Sequence, residues 1–175
     1  MAADGARLVV GVSGSLASLA ALRVAAHVAR ESGRTLVAVL AWEPPEGEAL
    51  YVRSPDSAWA AHCEHEARAR LDRAFDEAFG GTPPGVTVRR RVIRGRPDQV
   101  LCAWVADPGD LLILGTRTRT RTRTRTRTGP RRAAVRRRVL AQARCPVLTV
   151  PAPALPRRER RALRRATAGD FEMLA

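Results

Sequence analysis

The sequence contains no lysine, few aromatic residues and no long apolar run. Because every basic residue is an arginine, a phosphate-binding loop that depends on a lysine has no place in this chain. Arginine without lysine, beside abundant alanine, glycine and proline, is typical of a GC-rich genome. No apolar run approaches the roughly 18 residues of a membrane span, and the start lacks the pattern of a secretion signal. We therefore expect a cytoplasmic protein that does not contact a membrane.

Cysteine, histidine and tryptophan are too scattered to indicate a chemical site. Cys63, Cys102 and Cys145 are odd in number and far apart, which favours reduced thiols over a disulfide framework. The segment from His62 to His65 contains possible metal ligands, but without a second cluster it is typical of a polar helix face. No Ser-His-Asp pattern or pair of catalytic carboxylates can be assembled. We predict no metal, no catalytic residue and no enzyme activity.

The charge is divided unevenly between the two halves of the chain. Residues 1–88 contain 8 arginines and 11 acidic residues, whereas residues 89–175 contain 23 arginines and 6 acidic residues. Eleven arginines and no acidic residue lie between Gly115 and Arg138. This distribution indicates a strongly cationic carboxyl-terminal half that would attract polyanions.

Short runs rich in valine and leucine alternate with amphipathic segments. The predicted strands are Arg7–Val12, Thr35–Ala41, a run marked by Val86, Val88 and Val92, Leu111–Leu114 and Val147–Val150. Ser15 caps a helix to about Arg30, Ser57 caps a second that Gly80 ends, Pro97 opens a third, and Arg131–Ala143 forms a fourth. This order predicts an α/β fold with a doubly wound parallel sheet. The arginines at 89–91 place the third strand at an edge.

Five motifs in this order resemble the universal stress protein family of the single-domain, actinobacterial type. They are Leu8–Ser15, Ala38–Pro45, Gly95–Pro97, Asp110–Gly115 and Ala143–Val150. The similarity covers about residues 6–151. It implies a Rossmann-like sheet of five parallel strands in the order 3-2-1-4-5, with a switch point between strands one and four where such sheets bind ligands.

The resemblance also implies a place for ATP. Binding members have a glycine, two residues, a second glycine, nine residues and then Gly-Ser or Gly-Thr, which hold phosphate through backbone N–H groups and a hydroxyl. Gly115 fits the first position, but Thr118 occupies the second. Counting back from Cys145 puts Ala133 and Ala134 on the Gly-Ser pair, five residues too far along. We therefore expect a degenerate site that binds ATP weakly or not at all.

The site residues implied by the resemblance come from both sides of the switch point. Ser13 stands where binding members often have an acidic residue, which is a further departure. The complete set is Gly11, Val12, Ser13, Ala41, Leu114, Gly115, Thr118, Ala133, Ala134 and Val135.

Six consecutive Arg-Thr dipeptides occupy residues 117–128, and only Gly115 and Thr116 separate them from the fourth predicted strand. One interpretation is repeat expansion, which gives a solvated low-complexity loop over 116–128. A second is that Arg117, Arg119 and their neighbours replace the glycine loop and bind phosphate by charge. A third is a strand with one cationic face, although it lacks an evident partner and a fixed register.

The expected protein is non-catalytic and acts in a stress response or in regulation. We predict a domain over 1–152 and a basic tail rich in proline and arginine over 153–175. The last strand is an apolar edge (Val147, Leu148, Thr149 and Val150), so a homodimer through this strand is expected. The alternative function is non-specific binding of nucleic acid or another polyanion by the arginine-rich half.

Overall fold

A parallel sheet with helices on both faces organises the described part of the chain. The computed structural model describes residues 6–45, 47–53, 55–105, 107–116 and 129–154. The strands are β1 (Leu8–Gly11), β2 (Leu36–Trp42), β3 (Val88–Arg94), β4 (Leu111–Thr116) and β5 (Val147–Pro151). The helices are α1 (Leu16–Ser32), α2 (Glu48–Arg53), α3 (Ser57–Phe79), α4 (Pro97–Trp104) and α5 (Gly129–Gln142). The Arg-Thr tract and nearly all of the predicted tail lie outside the described residues.

The strands pair in parallel in the order β3-β2-β1-β4-β5. Leu8 of β1 lies opposite Leu36 on one side and opposite Leu111 on the other. Leu8, Val9 and Val10 are fully buried, as a run of branched residues predicts for a central parallel strand. The predicted fold class and strand order are therefore confirmed.

Alternate residues of the central strands contribute to two separate hydrophobic layers. On one face, Leu8 and Val10 pack with residues of α1 and α3, including Phe75. On the other face, Val9 packs with residues of α4 and α5, including Val139. Burying one such side chain contributes roughly 1.5–3 kcal/mol, so each layer holds its pair of helices firmly. Because helices cover both faces of the sheet, a ligand site can form at the ends of the strands.

Side chains cap the amino ends of α1 and α3, and only the cap of α1 is the predicted residue. Ser15 caps α1 as predicted: its Oγ accepts from Ser18 N at 3.4 Å, and Ser18 Oγ accepts from Ser15 N at 3.0 Å. The cap of α3 is Asp56, and the predicted cap Ser57 is the first helical residue. Asp56 Oδ1 accepts from Trp59 N at 2.9 Å, so the residue one position earlier caps the helix.

Helix α2 was not predicted, and Arg94 at the end of β3 holds it in place. Arg94 Nη2 donates to Glu48 Oε1 at 2.7 Å, and Arg94 Nε donates to Glu48 Oε2 at 3.3 Å. The Arg94 guanidinium carbon also lies 3.8 Å from the centre of the Tyr51 ring. Local sequence patterns do not reveal this helix because its contacts join residues 46 positions apart.

Strand β3 lies at the edge of the sheet, as its arginines predicted. The Arg90 guanidinium carbon lies 4.0 Å from the centre of the Phe75 ring, and Arg90 Nη1 donates to Asp72 Oδ1 at 2.6 Å. The guanidinium carbon of Arg91 lies 5.9 Å from the centre of the Trp104 ring. The guanidinium heads of these arginines pack on aromatic rings. The arginine side chains of β3 are therefore accommodated at the edge of the sheet.

An ion pair joins the amino ends of β1 and β4. Asp110 Oδ1 accepts from Arg7 N at 2.9 Å and from Arg7 Nε at 3.3 Å, while Asp110 Oδ2 accepts from Arg7 Nη2 at 2.9 Å. Arg7 Nη2 also donates to Trp104 O at 3.0 Å. The Asp110 side chain is 1% exposed and the Arg7 side chain 25%. This pair fixes two neighbouring strands at the end of the sheet opposite to the predicted site.

None of the described helices is both long enough and apolar enough to cross a membrane.

Candidate functional site

The carboxyl ends of β1 and β4 lie side by side in the middle of the sheet, where Gly11 is opposite Leu114. The helices that follow these strands pack on opposite faces, α1 on one and α5 on the other. A crevice forms where neighbouring connections diverge in this way, and ligands of open α/β sheets bind there.

A cleft of about 910 Å³ opens at this end of the sheet. Its lining comes from the end of β2 and the loop after it, from α3, from the start of α4 and from α5. A cleft of this size can hold a nucleotide, because pockets for such ligands measure roughly 300–1,000 Å³. Three predicted site residues lie on its walls, namely Ala41, Ala134 and Val135.

Gly11, Val12 and Leu114 are packed beside the cleft and do not line it. A Cβ at Gly11 would lie 3.0 Å from the Leu114 side chain. Val12 is 5% exposed and donates its backbone N–H to Val39 O at 2.9 Å. These residues form the packed core behind the crevice, so their contribution to a ligand site would be structural.

Gly115 is a strand residue, because β4 runs two residues beyond its predicted end at Leu114. A Cβ on Gly115 would lie 2.3 Å from the carbonyl oxygen of Ala17, far inside van der Waals contact. The first turn of α1 therefore packs directly against the backbone of β4. This close approach alone requires a glycine here, whether or not a phosphate binds.

The loop between β1 and α1 satisfies its own polar groups. Ser13 is exposed, its N–H donates to Ser18 Oγ at 3.3 Å, and its hydroxyl lies 3.1 Å from that of Ser15. Gly14 has a φ of 70°, and a Cβ there would lie 3.5 Å from Arg70 Cγ. The serines thus cap the first turn of α1 internally, while the aliphatic part of the Arg70 side chain packs beside the loop.

Two predicted site residues cannot be placed in this geometry. Thr118 lies outside the described residues. Ala133 is a residue of α5, but nothing is described of its side chain. The predicted positions of the second glycine and of the first residue of the Gly-Ser pair therefore stay predictions.

A buried carboxylate and two arginines form a cluster that the sequence did not predict. Asp98 Oδ2 accepts from Arg96 Nη2 at 3.0 Å and from Arg138 Nη1 at 3.3 Å, and all three residues line the cleft. Asp98 lies in the first turn of α4, where the helix dipole favours a negative charge. The Gly95-Arg96-Pro97 motif marks the start of this helix, but Arg138 is 40 positions away from Asp98.

The profile of the universal stress protein family matches residues 6–151. The chain belongs to this family. Among solved structures, the hypothetical protein MJ0577 is 14% identical over 85% of this chain and 98% of its own, with a TM-score of 0.60. The universal stress protein UspA from Lactobacillus plantarum is 20% identical over 85% of this chain and 99% of its own, with a TM-score of 0.50. These similarities show a shared fold. No curated protein matches the sequence.

The cysteines of this universal stress protein lie in different surroundings. Cys63 lines the cleft and is partly exposed. Burial raises the pKa of the Cys145 thiol, and it raises the pKa of Cys102 in the same way. Cys145 Sγ donates to Pro146 O at 3.4 Å. Burial thus favours the neutral form of the Cys145 thiol.

The polar face of α3 holds no metal site within the residues that the structure describes. No group of three or more histidine, cysteine, aspartate or glutamate side chains comes together there. The His62 ring stacks on the Trp59 ring with their centres 5.4 Å apart, and Glu64 forms an ion pair with Arg68. These side chains are used in contacts along the helix surface.

Proposed function

We propose that this universal stress protein binds a nucleotide in the cleft without catalysing a reaction, and that it acts in a stress response or in regulation. The observation that carries the proposal is the cleft at the carboxyl end of β2, which is the same end of the sheet at which β1 and β4 finish side by side. Ala41, Ala134 and Val135 on its walls are three of the ten residues that the family resemblance implies for nucleotide binding. Stress response follows from family membership.

The proposed nucleotide site lacks the phosphate-binding glycine loop of its family. Thr118 and the pair Ala133-Ala134 would remove backbone freedom and a capping hydroxyl. Each lost hydrogen bond to a charged group costs about 1.5–3 kcal/mol. Two losses weaken binding by roughly 10²–10⁴-fold. Unless charged side chains compensate, ATP would bind no tighter than about millimolar.

Calorimetry with ATP and with adenosine tests the nucleotide proposal. We expect both ligands to bind the purified full chain when they are present at millimolar concentration. Absence of binding by both ligands at that concentration would overturn the proposal.

The arginine-rich half favours a second function, the binding of polyanions. Eleven arginines and no acidic residue lie between Gly115 and Arg138, and Arg136 and Arg137 of α5 are exposed. Such a surface binds phosphate backbones by releasing counterions and does not read base sequence. A salt titration of duplex DNA binding tests this, with the full chain and a variant that lacks residues 117–128. A flatter salt dependence in the variant is expected, and equal slopes would contradict a contribution of the tract.

We also propose a homodimer through β5. Leu148 is 40% exposed, and the outer edge of β5 pairs with no other described strand. Exposed apolar edges tend to pair with another chain. Light scattering should report a dimer that Leu148→Arg dissociates, because the substitution places a charge in the interface. A monomer at high concentration, or a dimer unaffected by Leu148→Arg, would contradict this assembly.

The domain limits and the location of the protein are proposals as well. They comprise a domain over 1–152, a separate basic tail over 153–175 and a cytoplasmic site of action. Limited proteolysis that removes the tail and leaves an intact fragment ending near residue 152 would support the division.

A further inference from the structure

One carboxylate oxygen in the cleft holds two guanidinium groups. Asp98 Oδ2 lies 3.0 Å from Arg96 Nη2 and 3.3 Å from Arg138 Nη1, and the Asp98 side chain is 6% exposed. Two positive charges therefore share a single negative partner on the α4–α5 side of the cleft. Because the aspartate is buried in the first turn of α4, it fixes where both arginine heads lie.

Both arginines keep hydrogen-bond donors that the fold does not use. A guanidinium carries five N–H groups, and one nitrogen of each head bonds to Asp98. No other hydrogen bond joins either side chain to the described part of the chain. The side chains of Arg96 and Arg138 are 44% and 52% exposed, and both residues line the cleft. The remaining donors are accessible to a ligand there.

The charges of the cleft are arranged asymmetrically. Glu43, Glu66 and Arg70 line the side formed by the end of β2 and by α3, so carboxylates outnumber arginines on that side. Arg96 and Arg138 outnumber Asp98 on the opposite side. A ligand with an anionic end and a neutral end would therefore place its anionic end between α4 and α5. Ala134, at the predicted position of the serine in the Gly-Ser pair, belongs to that side.

We propose that Arg96 and Arg138, positioned by Asp98, bind the phosphates of the nucleotide through their side chains, in place of the glycine loop. The identity of the ligand as a nucleotide rests on the proposed function, whereas the anion site rests on the arginine cluster itself. Guanidinium groups form paired, charge-assisted hydrogen bonds with phosphate oxygens. Two such groups match several phosphate oxygens, so the preferred ligand is a nucleoside di- or triphosphate, bound more tightly than the monophosphate.

The test compares tripolyphosphate, ATP and adenosine by calorimetry at low salt. The variants are Arg96→Gln and Arg138→Gln, and the matched control is Arg137→Gln, which removes an exposed arginine of the same helix from outside the cleft lining. We expect each cleft variant to weaken ATP and tripolyphosphate by about fivefold to twentyfold. Adenosine affinity should stay unchanged in all variants. The control should change every affinity by less than about twofold.

The outcomes separate this inference from the proposed function. If ATP and adenosine bind but the cleft variants leave ATP and tripolyphosphate affinities within twofold of the original, the arginine site is wrong and the nucleotide site stands. If tripolyphosphate alone binds and is lost in the cleft variants, the arginine site is right and the nucleotide proposal is wrong. If tripolyphosphate and ATP both fail to bind, the arginine site is wrong. Thermal unfolding of each variant checks that the fold is retained.

Discussion

Each end of the sheet contains a buried aspartate that is hydrogen-bonded to arginine. The two clusters differ in how many hydrogen bonds each arginine gives to the aspartate. At the amino ends of the strands, Arg7 gives Asp110 three hydrogen bonds and reaches Trp104 O as well. At the carboxyl ends, Arg96 and Arg138 each give Asp98 one. The Arg7 side chain is 25% exposed, about half the exposure of the two arginines in the cleft.

The same residue pair can therefore serve stability or binding, depending on how completely it is satisfied. The hydrogen bonds between Arg7 and Asp110 join β1 to β4. The Asp98 cluster leaves donors open on the wall of a cleft. The number of ion pairs would not distinguish these two roles. The exposed fraction of each arginine side chain, and the number of hydrogen bonds that its guanidinium group gives to the aspartate, do distinguish them.

The largest effect should come from breaking the closed pair with Asp110→Ala. Removing one partner of a buried pair strands the other charge, and because Arg7 is partly exposed we expect a loss of about 2–4 kcal/mol in unfolding free energy. Urea denaturation measures this change. The control Asp76→Ala removes an exposed carboxylate and should change the unfolding free energy by less than about 0.5 kcal/mol. Equal small effects would show that the closed pair contributes little to stability.

Gly115→Ala tests a residue of the predicted ligand site that packs directly against the backbone of α1. Its Cβ would meet the carbonyl of Ala17, so α1 must shift away from β4 at a cost of about 1–3 kcal/mol. Urea denaturation should show this loss. The control Gly85→Ala also adds a methyl group, at an exposed position with a φ of 70°, so it measures strain without a backbone clash. A stable Gly115→Ala protein with lost ATP binding would restore the phosphate role.

Asp98→Asn should destabilise the fold much less than Asp110→Ala. The asparagine keeps the shape and still accepts a hydrogen bond, and its two arginines are about half exposed and remain hydrated. We expect a loss of about 0.5–1.5 kcal/mol in unfolding free energy. A loss as large as that of Asp110→Ala would remove the contrast between the two ends of the sheet.

The smallest expected effect concerns the reactivity of two thiols, Cys145 and Cys63. Because burial raises the pKa of Cys145, its folded form holds the proton more tightly than the unfolded form does. Its contribution to stability is present below the unfolded pKa and decreases as the pH rises through the folded value. Alkylation followed by mass spectrometry should modify Cys145 more slowly than a short cysteine peptide at mildly alkaline pH. ATP should slow modification of Cys63 in the cleft and leave Cys145 unchanged.

Most of the fold was predictable from local patterns, together with a family resemblance. Branched runs such as Leu8–Gly11 predicted the central strands, and the arginines of β3 predicted its edge position. The cap of α3 was misplaced by one residue because Asp56 and Ser57 are both good caps. Helix α2 was missed because Arg94, which holds it, lies far along the chain.

The candidate site was less predictable because its chemistry comes from residues distant in sequence. The loop motif pointed to Ala133 and Ala134, and Ala134 does line the cleft. It gave no hint of Asp98 and Arg138, which meet only after α4 and α5 pack together. Gly115 was assigned to a phosphate loop because it fits the first glycine of the family motif. Its contact with Ala17 was not predictable, because that contact depends on how α1 lies across the sheet.

The unequal edges of the sheet set a limit on growth of any assembly. Arginines alternate across both faces of β3, so a second β3 approaching edge to edge would meet like charges. Strand β5 has exposed Leu148 and no such barrier. In the dimer proposed through β5, each copy would present its arginine-rich β3 edge outward. Association through the sheet would then end at a closed, two-fold pair.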